Sequence, residues 1–327
     1  MTVKVKILPS GKEFASEGKS TLLEAGLSAG LALGYGCSNG NCGECLAKVV
    51  SGDVEQVKHH DYKIGADKLT SHHVLMCANA AMSDVVIEAP EASSQDIPQQ
   101  HITAKVRSVS FVNDNVALLH LKTPRTNRLR FLAGQQVQLG GNGLPVANYP
   151  ISSCPCDDMN LHFQIPKRDG GGFSDFVFNQ LKKGDAIDVT GPEGNFVLDE
   201  DSKRPLVFIA WHTGFAPIRS LIEHAMALDE AETMHLVWLA RNNEDRYQDN
   251  LCRSWEDALD DFVYVPVDTD IPASDVFDAE AMLRQLNIQP GKLADYDFYI
   301  SGNRQLIDSC EMTLAQHSVS GEQIKHD

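Results

Sequence analysis

A chain of 327 residues with 43% hydrophobic and 22% charged side chains can build two or three domains with ordinary cores, which excludes an intrinsically disordered protein. Its 28 Lys and Arg stand against 45 Asp and Glu, and a net charge of −17 excludes affinity built on nucleic-acid phosphates. No apolar run approaches the ~20 residues that cross a bilayer, and the opening MTVKVKILPSGKEF holds no apolar signal core, so no membrane insertion and a cytoplasmic location are expected.

Charge also divides the chain. Residues 1–100 hold 8 basic and 12 acidic side chains, residues 101–200 hold 10 of each, and residues 201–327 hold 10 and 23. Glu91–Gln100, EASSQDIPQQ, is polar, carries Pro98 and reads as a linker. Three modules are predicted, over 1–92, 101–200 and 203–327.

In the first module Val3–Leu8 and Glu13–Ala15 read as a hairpin around Pro9-Ser10-Gly11, and Thr21–Gly30 as a short helix. Leu46–Val50 and Val85–Glu88 read as closing strands. The loop Gly34–Cys45, GYGCSNGNCGEC, sets Cys37, Cys42 and Cys45 at C-x4-C-x2-C, with Cys77 after 31 further residues. Gly34, Gly36, Gly40 and Gly43 let such a loop wrap closely with its N–H groups aimed at sulfur. Structural zinc is the alternative, but zinc sites pair two short Cys or His elements, whereas three of these cysteines share one loop. The spacing resembles that of plant-type ferredoxins. The resemblance implies a β-grasp fold with a [2Fe–2S] cluster on Cys37, Cys42, Cys45 and Cys77.

The second module runs through short β-rich segments: Ile102–Val109, Val116–Lys122, Gln136–Leu139, Leu161–Ile165 and Ala186–Thr190, with a turn at Gly140-Gly141-Asn142-Gly143. An antiparallel β-barrel is predicted. The residues alone assign it no chemistry. The order AGQ (Ala133–Gln135), NYPISS (Asn148–Ser153), GGFS (Gly171–Ser174), KGD (Lys183–Asp185) and GPEGNF (Gly191–Phe196) resembles the ferredoxin–NADP reductase superfamily. That resemblance implies FAD, with Tyr149 on the isoalloxazine, Pro150, Ile151 and Ser152 in the same motif, and Gly172-Phe173-Ser174 as the pyrophosphate turn. Two departures stand out. Ala147 occupies the place of the family's Arg, a charged contact of ~1.5–3 kcal/mol, and Pro150 that of its Ser or Thr. Lys167 and Arg168 are the cations at hand to replace the Arg.

The third module alternates strands and helices: Leu206–Ala210, Pro217–Ala227, His235–Ala240, Phe262–Val267, Ala279–Leu286, Asp297–Ile300 and Arg304–Ala315. The pattern predicts a doubly wound α/β domain with ligands outside the strand C-termini. G-x-G-x-x-G is absent. Trp211–Pro217, WHTGFAP, instead resembles the GGTGIAP nucleotide loop of the same superfamily, which implies NAD(P)H on His212, Thr213 and Gly214. Trp211 and His212 replace the loop's first two glycines. Ser301-Gly302 resembles the family's C-G stretch near hydride transfer, with Ser301 where Cys is usual, so Tyr149 and Ser301 are the catalytic candidates and Gly302 a cofactor contact.

The pairs His59-His60 and His72-His73 point in different directions on any regular element, and no shared metal is expected. Cys154 and Cys156, flanking Pro155, read as loop or core thiols, and Cys252 and Cys310 as packing residues.

Taken whole, the chain resembles single-chain NAD(P)H-dependent iron–sulfur flavoprotein reductases, the reductase components of bacterial oxygenases and those serving CDP-6-deoxyhexose dehydration. The resemblance implies hydride transfer from NAD(P)H to FAD, single electrons to the cluster, and delivery to a protein acceptor, a terminal oxygenase component or a sugar dehydrase. A flavin and iron–sulfur carrier that has lost direct NAD(P)H oxidation is the alternative suggested by Ala147, Trp211, His212 and Ser301.

Overall fold

The computed structural model describes residues 2–91, 97–125, 127–141, 143–168, 170–199, 201–228, 233–269 and 277–327. The middle of the expected linker, residues 92–96, and Asn142 of the expected turn lie outside them.

The first module contains strands β1 (Thr2–Leu8), β2 (Glu13–Glu17), β3 (Leu46–Ser51), β4 (Val54–Gln56), β5 (His73–Leu75), β6 (Asn79–Ala81) and β7 (Val85–Glu88) with helices α1 (Leu22–Ser28) and α2 (Ala66–Thr70). Its main sheet has the order β2-β1-β7-β3-β5, with β1 and β7 parallel. Helix α1 starts one residue later than expected because Thr21 caps it: its hydroxyl accepts from Glu24 N while Glu24 reaches back to Thr21 N. Leu22 and Leu23 then enter a core with Val5, Ile7, Leu75 and Ile87.

The second module contains β8 (Gln100–Asn113), β9 (Val116–Lys122), β10 (Gln136–Gly141), β11 (Leu144–Pro150), β12 (Asn160–Pro166), α3 (Phe173–Asn179) and β13 (Ala186–Glu193). They form one antiparallel sheet in the order β11-β10-β13-β8-β9-β12. Its two edges meet where Ser152 N–H, just past β11, donates to His162 O on β12 at 2.8 Å. Gln100, expected in the linker, is the first residue of β8 and pairs with Gly191.

The third module contains β14 (Leu206–Trp211), α4 (Phe215–Leu228), β15 (Met234–Ala240), α5 (Asp249–Ala258), β16 (Phe262–Asp268), α6 (Ala279–Arg284), β17 (Asp297–Ser301), α7 (Arg304–Gln316) and β18 (Ile324–His326). The sheet is parallel with order β16-β15-β14-β17-β18. Every residue of β15 is buried, as expected of a strand covered on both faces. Chain order reverses between β14 and β17, which opens a crevice at their C-terminal ends.

The modules touch one another. Leu228 at the end of α4 packs on the first module's core. Tyr247 hydroxyl donates to Gln164 Oε1 of β12 at 2.5 Å, and Ser220 hydroxyl to Ser153 O at 2.7 Å.

Candidate functional sites

The loop Gly34–Cys45 folds its amides toward sulfur. Asn41 N–H and Cys42 N–H each point at Cys37 Sγ from 3.3 Å, Cys37 N–H at Cys42 Sγ from 3.4 Å, and Glu44 N–H at Cys42 Sγ from 3.5 Å. Cys45 and Cys77 form the other pair, with sulfurs 3.2 Å apart and both nearly inaccessible. Burial pushes the Cys37 thiol up, but the amides of Asn39, Asn41 and Cys42 outweigh it and hold the thiol below its ordinary value. Cys77 is brought down to about 7, chiefly by the hydrogen bond from Cys45.

Two close pairs of thiols suit two metal centres, with one pair for each. A single tetrahedral metal would need three or four ligands around one point, and no such group occurs among the described residues. Room for the loop comes from glycine. Gly40 and Gly43 have φ of +80° and +81°, and a Cβ there would lie 2.3 Å from His60 and 2.2 Å from Tyr62. The donor set, its amides and its pairing fit a [2Fe–2S] cluster.

The second site is a cavity of about 420 Å³ between barrel and nucleotide sheet. From the barrel, Tyr149 and Pro150 at the end of β11 line it together with Arg168. From the sheet come Trp211–Gly214 after β14 and Ser301–Asn303 after β17. The crevice predicted by strand order is therefore the one the two modules share. Tyr149 is 3% exposed, packed against Phe173 with ring centroids 5.7 Å apart. Burial pushes its phenol up, opposed by the nearby Arg168 guanidinium.

The nucleotide loop keeps a glycine-like backbone despite its large side chains. His212 has φ +51°, the left-handed conformation that a family glycine adopts freely. Gly214 cannot be replaced so easily, because a Cβ there would lie 2.4 Å from Ser301 O. His212 Nε2 is buried without a hydrogen bond, 3.8 Å from Asp245 Oδ1. Burial pushes its imidazole down, Asp245 opposing and Arg241 reinforcing the shift. Ser301 hydroxyl donates to Asp327 Oδ2 at 3.4 Å, and Asp327 is raised above the usual carboxylate range by burial.

Tyr149, Pro150, His212, Thr213, Gly214, Ser301 and Gly302 thus share one cavity. Ile151, Ser152, Gly172, Phe173 and Ser174 do not line it. Ser174 hydroxyl is engaged inside the protein, donating to Pro166 O at 2.7 Å and accepting from Arg168 N–H at 3.1 Å. It shapes the turn that presents Arg168. Of the two cations suggested by sequence, Lys167 lies over the Phe178 ring at 5.7 Å, and Arg168 is the one at the cavity. Asn148 and Asn303, neighbours of Tyr149 and Gly302 in the quoted motifs, also line it; Gln136, Gln164 and Asp327 do too and escaped sequence reasoning, because only tertiary packing brings them there.

Cys154 and Cys156 correct the sequence reading: they are joined as a disulfide rather than standing as separate thiols. Cys252 and Cys310 are fully buried free thiols packed in the sheet's two cores.

Comparison with known proteins decides the modules' identity. Residues 5–81 match the 2Fe-2S iron-sulfur cluster binding domain, 103–198 the oxidoreductase FAD-binding domain and 208–312 the oxidoreductase NAD-binding domain. The chain is a three-domain iron–sulfur flavoprotein reductase. It is an oxidoreductase that moves electrons from NAD(P)H through FAD to a [2Fe–2S] centre. The CDP-6-deoxy-L-threo-D-glycero-4-hexulose-3-dehydrase reductase of Yersinia pseudotuberculosis is 29% identical over 327 residues, covering 98% of this chain and 96% of that one. Terephthalate 1,2-dioxygenase reductase component 1 of Comamonas is 29% identical over 316 residues, 94% and 92% of the two chains. The crystal structure of an Amycolatopsis cytochrome P450 reductase has the same fold, with a TM-score of 0.63 at 24% identity over 99% of this chain and 98% of the other. Both alignments with these relatives span more than nine-tenths of each chain.

Proposed function

We propose that this reductase delivers its electrons singly to a protein acceptor, a terminal oxygenase component or a sugar dehydrase, and that the shared cavity is where nicotinamide meets flavin. The relatives named above serve a dioxygenase and a hexulose dehydrase, and alignments that span more than nine-tenths of each chain support an acceptor of that class. The observation that carries the cavity's role is the meeting of Tyr149 and Pro150 with Thr213, Gly214, Ser301 and Gly302 across the domain boundary. Modules bounded at 1–92, 101–200 and 203–327 accord with this division of labour.

In this reading Tyr149 packs the isoalloxazine, Arg168 supplies the charge missing at Ala147, and Gly172-Phe173-Ser174 with Ile151 and Ser152 shape the flavin's seat. His212, Thr213 and Gly214 receive the nucleotide, and Ser301 with Gly302 forms the wall beside the transferred hydride. Ser301 hydroxyl is oriented by Asp327. Bound flavin accepts a hydride and releases electrons one at a time, so the protein's tasks are position, charge and exclusion of water. Among the described residues no helix is long and apolar enough to cross a membrane, and a cytoplasmic location belongs to the same proposal.

The test is anaerobic addition of NADH and NADPH to holoprotein, followed by oxidised cytochrome c. Bleaching of the flavin and cluster bands with cytochrome c turnover is expected. Bands that neither nucleotide bleaches, yet dithionite does, would mark a carrier without nicotinamide oxidation.

A further inference from the structure

The bonded pair Cys154 and Cys156 has no part in either site, yet it sits where all three modules meet. Pro155 and Cys156 line an apolar crevice with Leu31, Leu33 and Tyr35 of the ferredoxin domain and His224 of α4. Cys154 is buried and Cys156 half-buried. On one side, Cys154 N–H donates to Glu223 Oε2 of α4 at 3.2 Å, and Arg219 holds that carboxylate at 2.8 Å. On the other side, two residues beyond Cys156, Asp158 faces Arg128 at 3.8 Å and lies near the phenol of Tyr35, inside the cluster loop, whose ionisation its charge opposes. Arg130 reaches Glu44 of the same loop at 3.6 Å. The segment follows directly on β11, the strand that carries Tyr149. A ring closed across Pro155 holds the contact to α4 and the contact to the cluster loop in one fixed relation.

We propose that Cys154–Cys156 is a reducible disulfide and that its opening loosens the docking of the ferredoxin domain on the barrel. The reductant is a dithiol. Its thiolate attacks Cys156 Sγ, the more accessible sulfur, the Sγ–Sγ bond breaks, and Cys154 leaves as thiolate. The reductant's second thiol then attacks the mixed disulfide and releases Cys156. Two electrons and two protons pass to the protein, which gains two thiols, while the dithiol becomes a disulfide. With the ring open, Pro155 and Asp158 are no longer held against Leu33 and Tyr35 by a closed covalent loop. Transfer from flavin to cluster slows, whereas hydride transfer into the flavin does not. This second half rests on the electron-transfer reading; the disulfide itself does not.

Trypsin cuts after Arg130 and Lys167, and the peptide between them contains Cys154 and Cys156 as its sole cysteines. Holoprotein purified without reductant and denatured in iodoacetamide should yield this peptide unalkylated, and doubly alkylated only after dithiothreitol. Double alkylation without dithiothreitol overturns the disulfide. For the docking half, NADH-driven reduction of cytochrome c, through the cluster, is compared with that of ferricyanide, from the flavin. Pretreatment with dithiothreitol, removed by desalting before the assay, should lower the first by up to about fivefold, the change in docking constant when one interaction of hydrogen-bond strength is lost, and leave the second unchanged. The Cys154→Ser/Cys156→Ser variant should show the low ratio without dithiothreitol and not respond to it. A bridged peptide with an unaltered rate ratio overturns the docking half alone. Absence of both rates in the bridged protein points instead to failure of the electron-transfer reading beneath it.

Discussion

Trp238 donates its indole N–H to the backbone carbonyl of His212 at 3.0 Å. Trp238 is fully buried in β15 and stacks on Phe215 with ring centroids 3.9 Å apart. The bond therefore ties the nucleotide loop to the interior of the sheet. It holds His212 in a left-handed conformation that costs a non-glycine residue ~1–3 kcal/mol. Trp238→Phe keeps a stacking ring and removes the donor. Stability in urea is expected to fall by about 1–2 kcal/mol, with a raised Michaelis constant for NADH. If both values stay where they were, the loop does not depend on this bond.

The loop's two large side chains bear on the proposed nucleotide site. Trp211 and His212 both line the cavity, and the Trp211 Cβ lies against Gly302, where an added Cβ would be 2.7 Å away. Trp211→Gly/His212→Gly enlarges the space and gives position 212 the residue its φ favours. A lower Michaelis constant for NADH is expected, with FAD retained. An unchanged or doubled constant in flavin-replete variant would show that the pair does not restrict the site.

At the cluster, backbone space is the sensitive quantity. Gly40→Ala and Gly43→Ala each force a Cβ into His60 or Tyr62 at a φ near +80°. Both variants are expected to lose iron and the cluster's visible absorbance while retaining FAD, and the parent to hold about two iron and two sulfide per chain, as its four thiolates imply. Full iron content in both variants would mean that the loop has slack the geometry does not show.

Flavin retention separates the two candidate cations. Arg168→Ala should weaken FAD retention by about 1.5–3 kcal/mol, the worth of a charged hydrogen bond, and Tyr149→Ala should also weaken it. Lys167→Ala should leave it alone, because that ammonium lies over Phe178. Equilibrium dialysis of released flavin checks all three, and equal losses for Lys167 and Arg168 would argue against the assignment.

The four cysteines proposed to hold the cluster were legible as a set because three of them lie within nine residues, where spacing and glycine content are local properties. The parallel strands were legible because burial on both faces writes an unbroken apolar run, as in Leu206–Ala210. Strand β11 was not recognised as a strand. It is an edge strand with Pro145 and Pro150 in it and only Tyr149 fully buried, so it lacks both alternation and apolar continuity. Sequence narrowed the missing Arg to two neighbours, but which one faces the cavity depends on Phe178, from a helix further along the chain.

One histidine makes the barrel sensitive to acid. His162 on β12 pairs across the sheet with His120 on β9, their rings edge to face with centroids 4.5 Å apart. Burial pushes the His162 imidazole down to about 4, His120 and Arg219 push the same way, and Asp157 opposes them. Unfolded, the same group titrates near ~6.5. Between these values the unfolded chain binds more protons than the folded one. Stability from this group is therefore intact above about pH 6.5 and falls away as pH drops toward 4, by on the order of 2 kcal/mol at pH 5. His162→Gln cannot charge and should lack this loss. Relative to the parent, the variant is expected to gain stability between pH 7 and pH 5, read as the difference in urea midpoints at the two values. A difference that does not change with pH would show that His162 is not the group responsible.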